Sequence, residues 1–186
     1  MKTKKGASEI AKKIKLIIFD VDGTLTDGCI YMGPEGEAMK AFSARDGMGI
    51  AMAHKGDIKS AIITGRSSRI MTRRANELKI DALYQGCVDK RGAYEELKLK
   101  FSLKDDEIAY VGDDINDIPL IQQAGLGCCV GDAVAEVKDL AIVVAECPGG
   151  KGAVREILEF ILKEQGKWDS LVGTFTGKKA VDGVRQ

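Results

Sequence analysis

The sequence predicts an α/β fold: a doubly wound, mostly parallel sheet with a β-hairpin flap after the first strand and no large cap domain. Two observations carry this prediction. Short apolar runs, many of them β-branched, alternate along the chain with stretches of helical spacing, as expected for parallel strands covered on both faces and joined by helices. Three of those runs end in polar clusters, which sets a row of chemically active side chains along one edge of the sheet. The 186 residues, 45% hydrophobic and 30% charged, suit a single domain, with a core over about 14–165 and a C-terminal tail over 166–186.

Met1 to Ile14 reads as a basic, partly frayed lead-in with a short helix from Ser8. The run Leu16 to Phe19 is the first buried strand and drives into Asp20 and Asp22. Between Gly28 and Phe42 the punctuation Gly-Pro-Glu-Gly separates Cys29–Met32 from Ala38–Phe42, the pattern of a hairpin. Asp46 to Lys55 is helical, and Ile58 to Ile63 is a second buried strand ending in Thr64-Gly65-Arg66. Ser67 or Ser68 caps a helix through Leu78, followed by a short strand, Ala82 to Tyr84. Lys90 to Phe101 is amphipathic helix, and Glu107 to Val111 is a strand ending in Gly112-Asp113-Asp114. A helix over Asp117 to Ala124 tolerates Pro119 in its first turn. Late strands at Leu126–Val130 and Ala141–Val144 flank a small helix near Val134–Lys138, and Gly152 to Gln165 is the last clear helix. This alternation is Rossmann-like, with no internal repeat.

Composition excludes several functions. Lys+Arg and Asp+Glu balance at 28 each, so no basic field favours nucleic acid or a membrane surface. No apolar run approaches the roughly 20 residues of a membrane helix. Five cysteines without a C-x-x-C pair read as reduced thiols, and a lone histidine, His54, makes a zinc site a poor expectation. The expected setting is soluble and cytoplasmic. His54 itself reads as a helix-surface residue without a role.

An unpaired carboxylate at the mouth of a buried strand costs several kcal/mol, so Asp20 and Asp22 call for a metal, a lysine or both. Candidates stand at the other strand ends: Thr64 and Gly65 after the second run, Lys90 at the start of a helix, and Asp113 with Asp114 after the third. Oxygen-rich carboxylate clusters suit a hard cation such as Mg²⁺. A hydroxyl, a glycine amide and a lysine suit phosphoryl oxygens, so the expected chemistry is phosphoryl transfer through Asp20.

These residues carry a resemblance. Asp-Val-Asp-Gly-Thr, Thr-Gly-Arg, Lys90 and Gly-Asp-Asp with Asp117 four residues after Asp113 resemble the haloacid dehalogenase-like phosphatases. The hairpin and the segments A-R-D-G, D-K-R-G-A-Y and P-G-G-K-G-A-V-R-E-I are similar to its capless branch acting on keto sugar acid phosphates. The resemblance covers about Ile14 to Leu162. It implies Asp20 as nucleophile, forming an aspartyl-phosphate, and Asp22 as general acid and base. It implies Mg²⁺ held by the Asp20 carboxylate, the Asp22 backbone carbonyl and Asp113, with Thr64 and Lys90 on the phosphoryl oxygens. Asp114 or Asp117 would orient Lys90 or metal-bound water. Arg45, Arg66 and Lys151 are candidates for a substrate carboxylate. The implied substrate is 3-deoxy-D-manno-octulosonate 8-phosphate, with 2-keto-3-deoxynononate 9-phosphate as the alternative, and the implied assembly is a homotetramer. Ala44 and Met48 depart from the branch, which usually has bulkier and aromatic residues there. A receiver-like phosphoacceptor domain is the alternative of a different class, set against by Asp22 and by the order of the motifs.

Overall fold

In the computed structural model, which describes residues 1–176, the chain runs β1 (Lys2–Thr3), α1 (Ala7–Ala11), β2 (Leu16–Phe19), β3 (Tyr31–Gly33), β4 (Gly36–Met39), α2 (Ala44–Lys55), β5 (Lys59–Ile63), α3 (Arg69–Glu77) and β6 (Ala82–Tyr84). It continues through α4 (Arg91–Phe101), β7 (Ile108–Gly112), α5 (Ile118–Gln123), β8 (Leu126–Cys129), α6 (Ala135–Leu140), β9 (Val143–Val144), α7 (Ala153–Glu164) and α8 (Trp168–Thr176). The part of the expected tail beyond Thr176 lies outside the described residues.

One seven-stranded sheet has the order β1-β9-β8-β7-β2-β5-β6, parallel throughout except for β1 against β9. The chain winds outward from β2 through β5 to β6, then crosses back to β7 on the other side and proceeds to β8 and β9. The reversal lies at β2 and β7, where open α/β sheets place their sites. β2 and β7 are buried along their whole lengths, as their unbroken apolar runs require. The helices pack in two groups, α2 and α1 on α7, and α5 on α4 and α6. That is the doubly wound arrangement expected, with β3 and β4 as a separate hairpin and no large cap.

Several expectations need correction. The basic lead-in is not a frayed arm: Lys2 and Thr3 add an antiparallel edge strand through backbone pairing with Val143 and Val144. The hairpin strands lie inside the span expected, at Tyr31–Gly33 and Gly36–Met39, because the turn is shorter than Gly-Pro-Glu-Gly suggested. Its apolar residues Ile30, Tyr31, Met32 and Met39 are exposed. Asp46 does not start its helix but sits in the first turn of α2, behind the cap Ser43. The tail contributes an ordered helix, α8, whose Trp168 ring lies 4.9 Å from the Arg155 guanidinium. His54 is no idle surface residue. Its Nε2 lies 2.7 Å from the Ser60 hydroxyl and 3.8 Å from Asp81, at the amino end of β5.

Candidate active site

β2 pairs with β5 on one side and β7 on the other, Phe19 lying opposite both Ile62 and Val111. The residues just beyond, Asp20, Thr64 and Asp113, therefore emerge side by side at the carboxyl edge. Asp20 stays in register for one more step, its N–H donating to the Val111 carbonyl at 2.9 Å. The chain then turns through Gly23, whose φ of 95° is a glycine conformation. A Cβ there would lie 2.0 Å from Asp113 Oδ2, so the Asp-x-Asp-Gly spacing is a packing requirement as well as a chemical one. The Gly149-Gly150 loop closes over the same turn, a Cβ on Gly149 falling 1.7 Å from the Gly23 carbonyl oxygen.

Lys90, the N-cap residue of α4, reaches under this turn with its side chain 1% exposed. Its ammonium donates to Asp20 Oδ1 at 2.5 Å, to Asp117 Oδ1 at 2.6 Å and to the Tyr110 hydroxyl oxygen at 3.1 Å. Asp117 is fully buried. Oδ1 also accepts the Tyr110 hydroxyl at 2.6 Å, and Oδ2 accepts the N–H groups of Asp113 at 2.9 Å and Asp114 at 3.3 Å. Asp117, not Asp114, orients Lys90. Asp114 is exposed, and its carboxylate accepts from the Ile115 N–H at the start of a 3₁₀ turn.

The electrostatics leave this cluster short of positive charge. Burial, then the charges of Asp20 and Asp117, push the Asp113 carboxyl up to about 7, although Thr24 donates to it at 3.2 Å. Burial likewise raises Asp20 despite the opposing pull of Lys90. For Lys90, burial is the largest single effect and acts downward, yet Asp20 and Asp117 together hold the ammonium above the ordinary lysine value. Asp20, Asp113 and Asp117 each offer an oxygen within 4.8 Å of the others. Three carboxylates against one ammonium, all oxygen donors, fit a hard divalent cation. The Asp22 side chain is not part of that cluster, in keeping with the expectation that Asp22 offers a cation its backbone carbonyl. It turns outward to Lys40 and Arg66, leaving only its main chain for a cation.

Thr64 is buried, and its hydroxyl oxygen faces the Arg66 N–H at 3.5 Å across Gly65. Arg66 reaches the site, with Nε 3.7 Å from Asp22 Oδ2. Arg45 and Lys151 do not: both are exposed and line a separate hollow of about 340 Å³ beside α7. Asp46, next to Arg45, is a structural residue. It is buried, and its carboxylate accepts the N–H groups of Gly152 at 3.2 Å and Arg155 at 2.7 Å at the start of α7. Two residues at the site escaped the sequence reading, Tyr110 and Lys40. Tyr110 sits inside an apolar strand run and looks like core. Lys40 falls at the end of the hairpin, where only an unbroken salt-bridge partner in space distinguishes it.

A family model for haloacid dehalogenase-like hydrolases matches residues 83–157. The chain is 45% identical over 163 residues to the 3-deoxy-D-manno-octulosonate 8-phosphate phosphatase of Yersinia pestis, covering 88% of this chain and 87% of that one. The chain belongs to this phosphatase family of haloacid dehalogenase-like hydrolases. Like its family, it is a phosphoric monoester hydrolase. The crystal structure of the Yersinia pestis phosphatase superposes with a TM-score of 0.87 at 44% identity, covering 89% of each chain. That of the Moraxella catarrhalis phosphatase, in complex with a magnesium ion, a phosphate ion and KDO, superposes at 0.89 with 39% identity, covering 92% of this chain and 99% of that one. Membership removes the receiver-like alternative.

Proposed function

We propose that this protein is a Mg²⁺-dependent phosphatase that hydrolyses 3-deoxy-D-manno-octulosonate 8-phosphate through an aspartyl-phosphate on Asp20. The observation that carries the proposal is the buried cluster of Asp20, Lys90, Asp113 and Asp117 at the switch point of the sheet. The substrate assignment rests on the family and on the sugar and phosphate in the Moraxella catarrhalis relative.

The Asp20 carboxylate attacks phosphorus as the ester P–O bond breaks, and Asp22 gives its proton to the leaving alkoxide. Asp22 then takes a proton from water, whose oxygen attacks phosphorus. The bond to Asp20 breaks, releasing phosphate. Thr64 and Lys90 hold the phosphoryl oxygens, with Lys90 aimed by Asp117 and Tyr110. Mg²⁺ would be held by the Asp20 and Asp113 carboxylates and the Asp22 carbonyl, and supplies neutralisation of charge on the transferring group. Arg66, beside Asp22, is the one of the three basic candidates placed to meet a substrate carboxylate.

The nine-carbon analogue, 2-keto-3-deoxynononate 9-phosphate, is the second reading, kept because Ala44 and Met48, both exposed on α2, depart from the residues usual in the octulosonate branch. Initial rates across a panel of sugar phosphates, with Mg²⁺ and with chelator, separate the two. The octulosonate ester gives the highest kcat/KM, and chelator removes the activity. Preference for another ester, or indifference to chelator, overturns the reading.

We also infer a cytoplasmic homotetramer acting as one domain per chain. No described helix is long and apolar enough to cross a membrane. The exposed Ile30, Tyr31, Met32 and Met39 on the flap supply apolar surface for self-association. Sedimentation velocity at micromolar concentration tests the assembly, a monomer contradicting it.

A further inference from the structure

Lys40 follows β4, yet its side chain is only 2% exposed. A flexible lysine is rarely buried without partners, since desolvating its ammonium is costly. Here the ammonium meets Asp22 Oδ1 and, at 2.9 Å, Glu37 Oε1. Glu37 lies on the same hairpin strand, three residues earlier, and its other oxygen accepts the hydroxyl of Ser68, the residue that caps α3. Arg66 completes the group, its guanidinium 3.7 Å from Asp22 and 3.8 Å from Glu37. Two carboxylates thus balance two cations at the junction of the hairpin with the loop after β5. Burial opposes ionisation of Glu37, but Ser68, Lys40 and Arg66 together hold its carboxyl below the ordinary glutamate value.

Within this group Lys40 has a singular place. Among the described residues it is the only hydrogen-bond donor to the Asp22 carboxylate, the Arg66 contact being longer than a hydrogen bond. Asp22 is therefore aimed by the hairpin and not by the sheet. A carboxylate that must reach the ester oxygen in one step and a water in the next needs a defined direction, and misplacement by about 1 Å can cost about 10²-fold in rate.

We propose that Lys40 is a positioning residue that fixes the direction of the Asp22 carboxylate, so that the seating of the hairpin on Glu37, Arg66 and Ser68 sets the efficiency of proton transfer to the leaving group. This rests on Asp22 being the proton-transfer group, as argued above. A residue with this role is distinguished from one that binds substrate by its dependence on the leaving group. The alkoxide of a sugar ester needs a proton, whereas p-nitrophenolate departs without one.

The test compares KM and the single-turnover rate of leaving-group release for wild type, Lys40→Met, Lys40→Arg and Glu37→Gln on 3-deoxy-D-manno-octulosonate 8-phosphate and on p-nitrophenyl phosphate, all with Mg²⁺, because release reports the acid step and not the later hydrolysis of the aspartyl-phosphate. Lys40→Met is expected to lower the release rate on the sugar ester by about tenfold or more, within the roughly 10²–10⁴ that general acid–base catalysis supplies, and by a distinctly smaller factor on the aryl ester. Lys40→Arg restores part of the loss, and Lys40→Met adds nothing further in an Asp22→Asn background. Glu37→Gln, which leaves Lys40 in place but loosens its seat, shows the same leaving-group bias more weakly and carries the comparison if Lys40→Met does not fold. Equal loss on both esters, a change confined to KM, or a full additional loss in the Asp22→Asn background overturns the proposal. Asp20→Asn serves as the separate check on the underlying mechanism. If it retains turnover of either ester, the reading of the site fails, whereas if it is inactive and the leaving-group bias is absent, only the role of Lys40 fails.

Discussion

Asp20 and Asp22 stand two residues apart and are held by different parts of the molecule. Asp20 belongs to the core: it continues β2, bonds Lys90, and shares that lysine with Asp117 and the fully buried Tyr110. Asp22 belongs to the periphery: its partners, Lys40 and Arg66, come from the hairpin and the loop after β5, and it keeps partial exposure. The difference matches the two tasks proposed for them. A nucleophile must meet phosphorus from a fixed point, which a sheet provides. A proton-transfer group serves a leaving alkoxide and then a water, which suits a mounting on the hairpin outside the sheet.

The largest expected effect breaks the core half of this comparison. Asp20→Asn reduces turnover of any phosphate monoester below detection, while Asp22→Asn leaves a trace, measured as phosphate release under single-turnover conditions. Comparable activity in both erases the distinction. Next, Lys90→Met strips the sole ammonium from a carboxylate cluster, and in metal-free protein it is expected to cost about 3–5 kcal/mol by denaturant titration. The cost shrinks as pH falls, because Asp113, already raised to about 7, takes up a proton in place of the lost charge. Tyr110→Phe removes a hydroxyl bonded to both Asp117 and Lys90, and costs about 1–2 kcal/mol by the same titration. Loss of Lys40, on the hairpin, moves stability less than either.

A control lies at the opposite end of the sheet. Burial, opposed in part by Asp81, lowers the His54 imidazole below its ordinary value. The folded state therefore prefers neutral His54, and its contribution is present above pH 6.5 and lost as pH falls through the lowered value. Between pH 7 and 5 the wild type loses slightly more stability than His54→Asn, measured as the shift in denaturation midpoint, with kcat at pH 7 following the core cluster and not this one.

The two halves also differ in how far the sequence revealed them. The core half was legible because each member is tied to a local signal. Asp20 and Asp113 end unbroken apolar runs, Thr64 ends another, and Lys90 opens an amphipathic helix. Tyr110 was not, because a tyrosine in Ile-Ala-Tyr-Val reads as core and its hydroxyl partners, Lys90 and Asp117, are brought to it only by the packing of α4 and α5. The flap half depends on pairings in space. A hairpin register offset by one residue flips which side chains face inward, so Lys40 and Glu37 carried no inward signal. The edge strand at Lys2–Thr3 was invisible for a related reason: it is two residues long and held by backbone groups, which hydropathy does not report.

The most direct test of the account uses the separation of the two aspartates. With p-nitrophenyl phosphate and Mg²⁺, Asp22→Asn should still phosphorylate Asp20, because the leaving group needs no acid, but should hydrolyse the intermediate slowly for want of a base. The account predicts a burst of p-nitrophenol equal to the enzyme concentration, with the phosphoryl group found by mass spectrometry on the peptide carrying Asp20. Linear release without a burst, with Asp20 unmodified throughout, would contradict it.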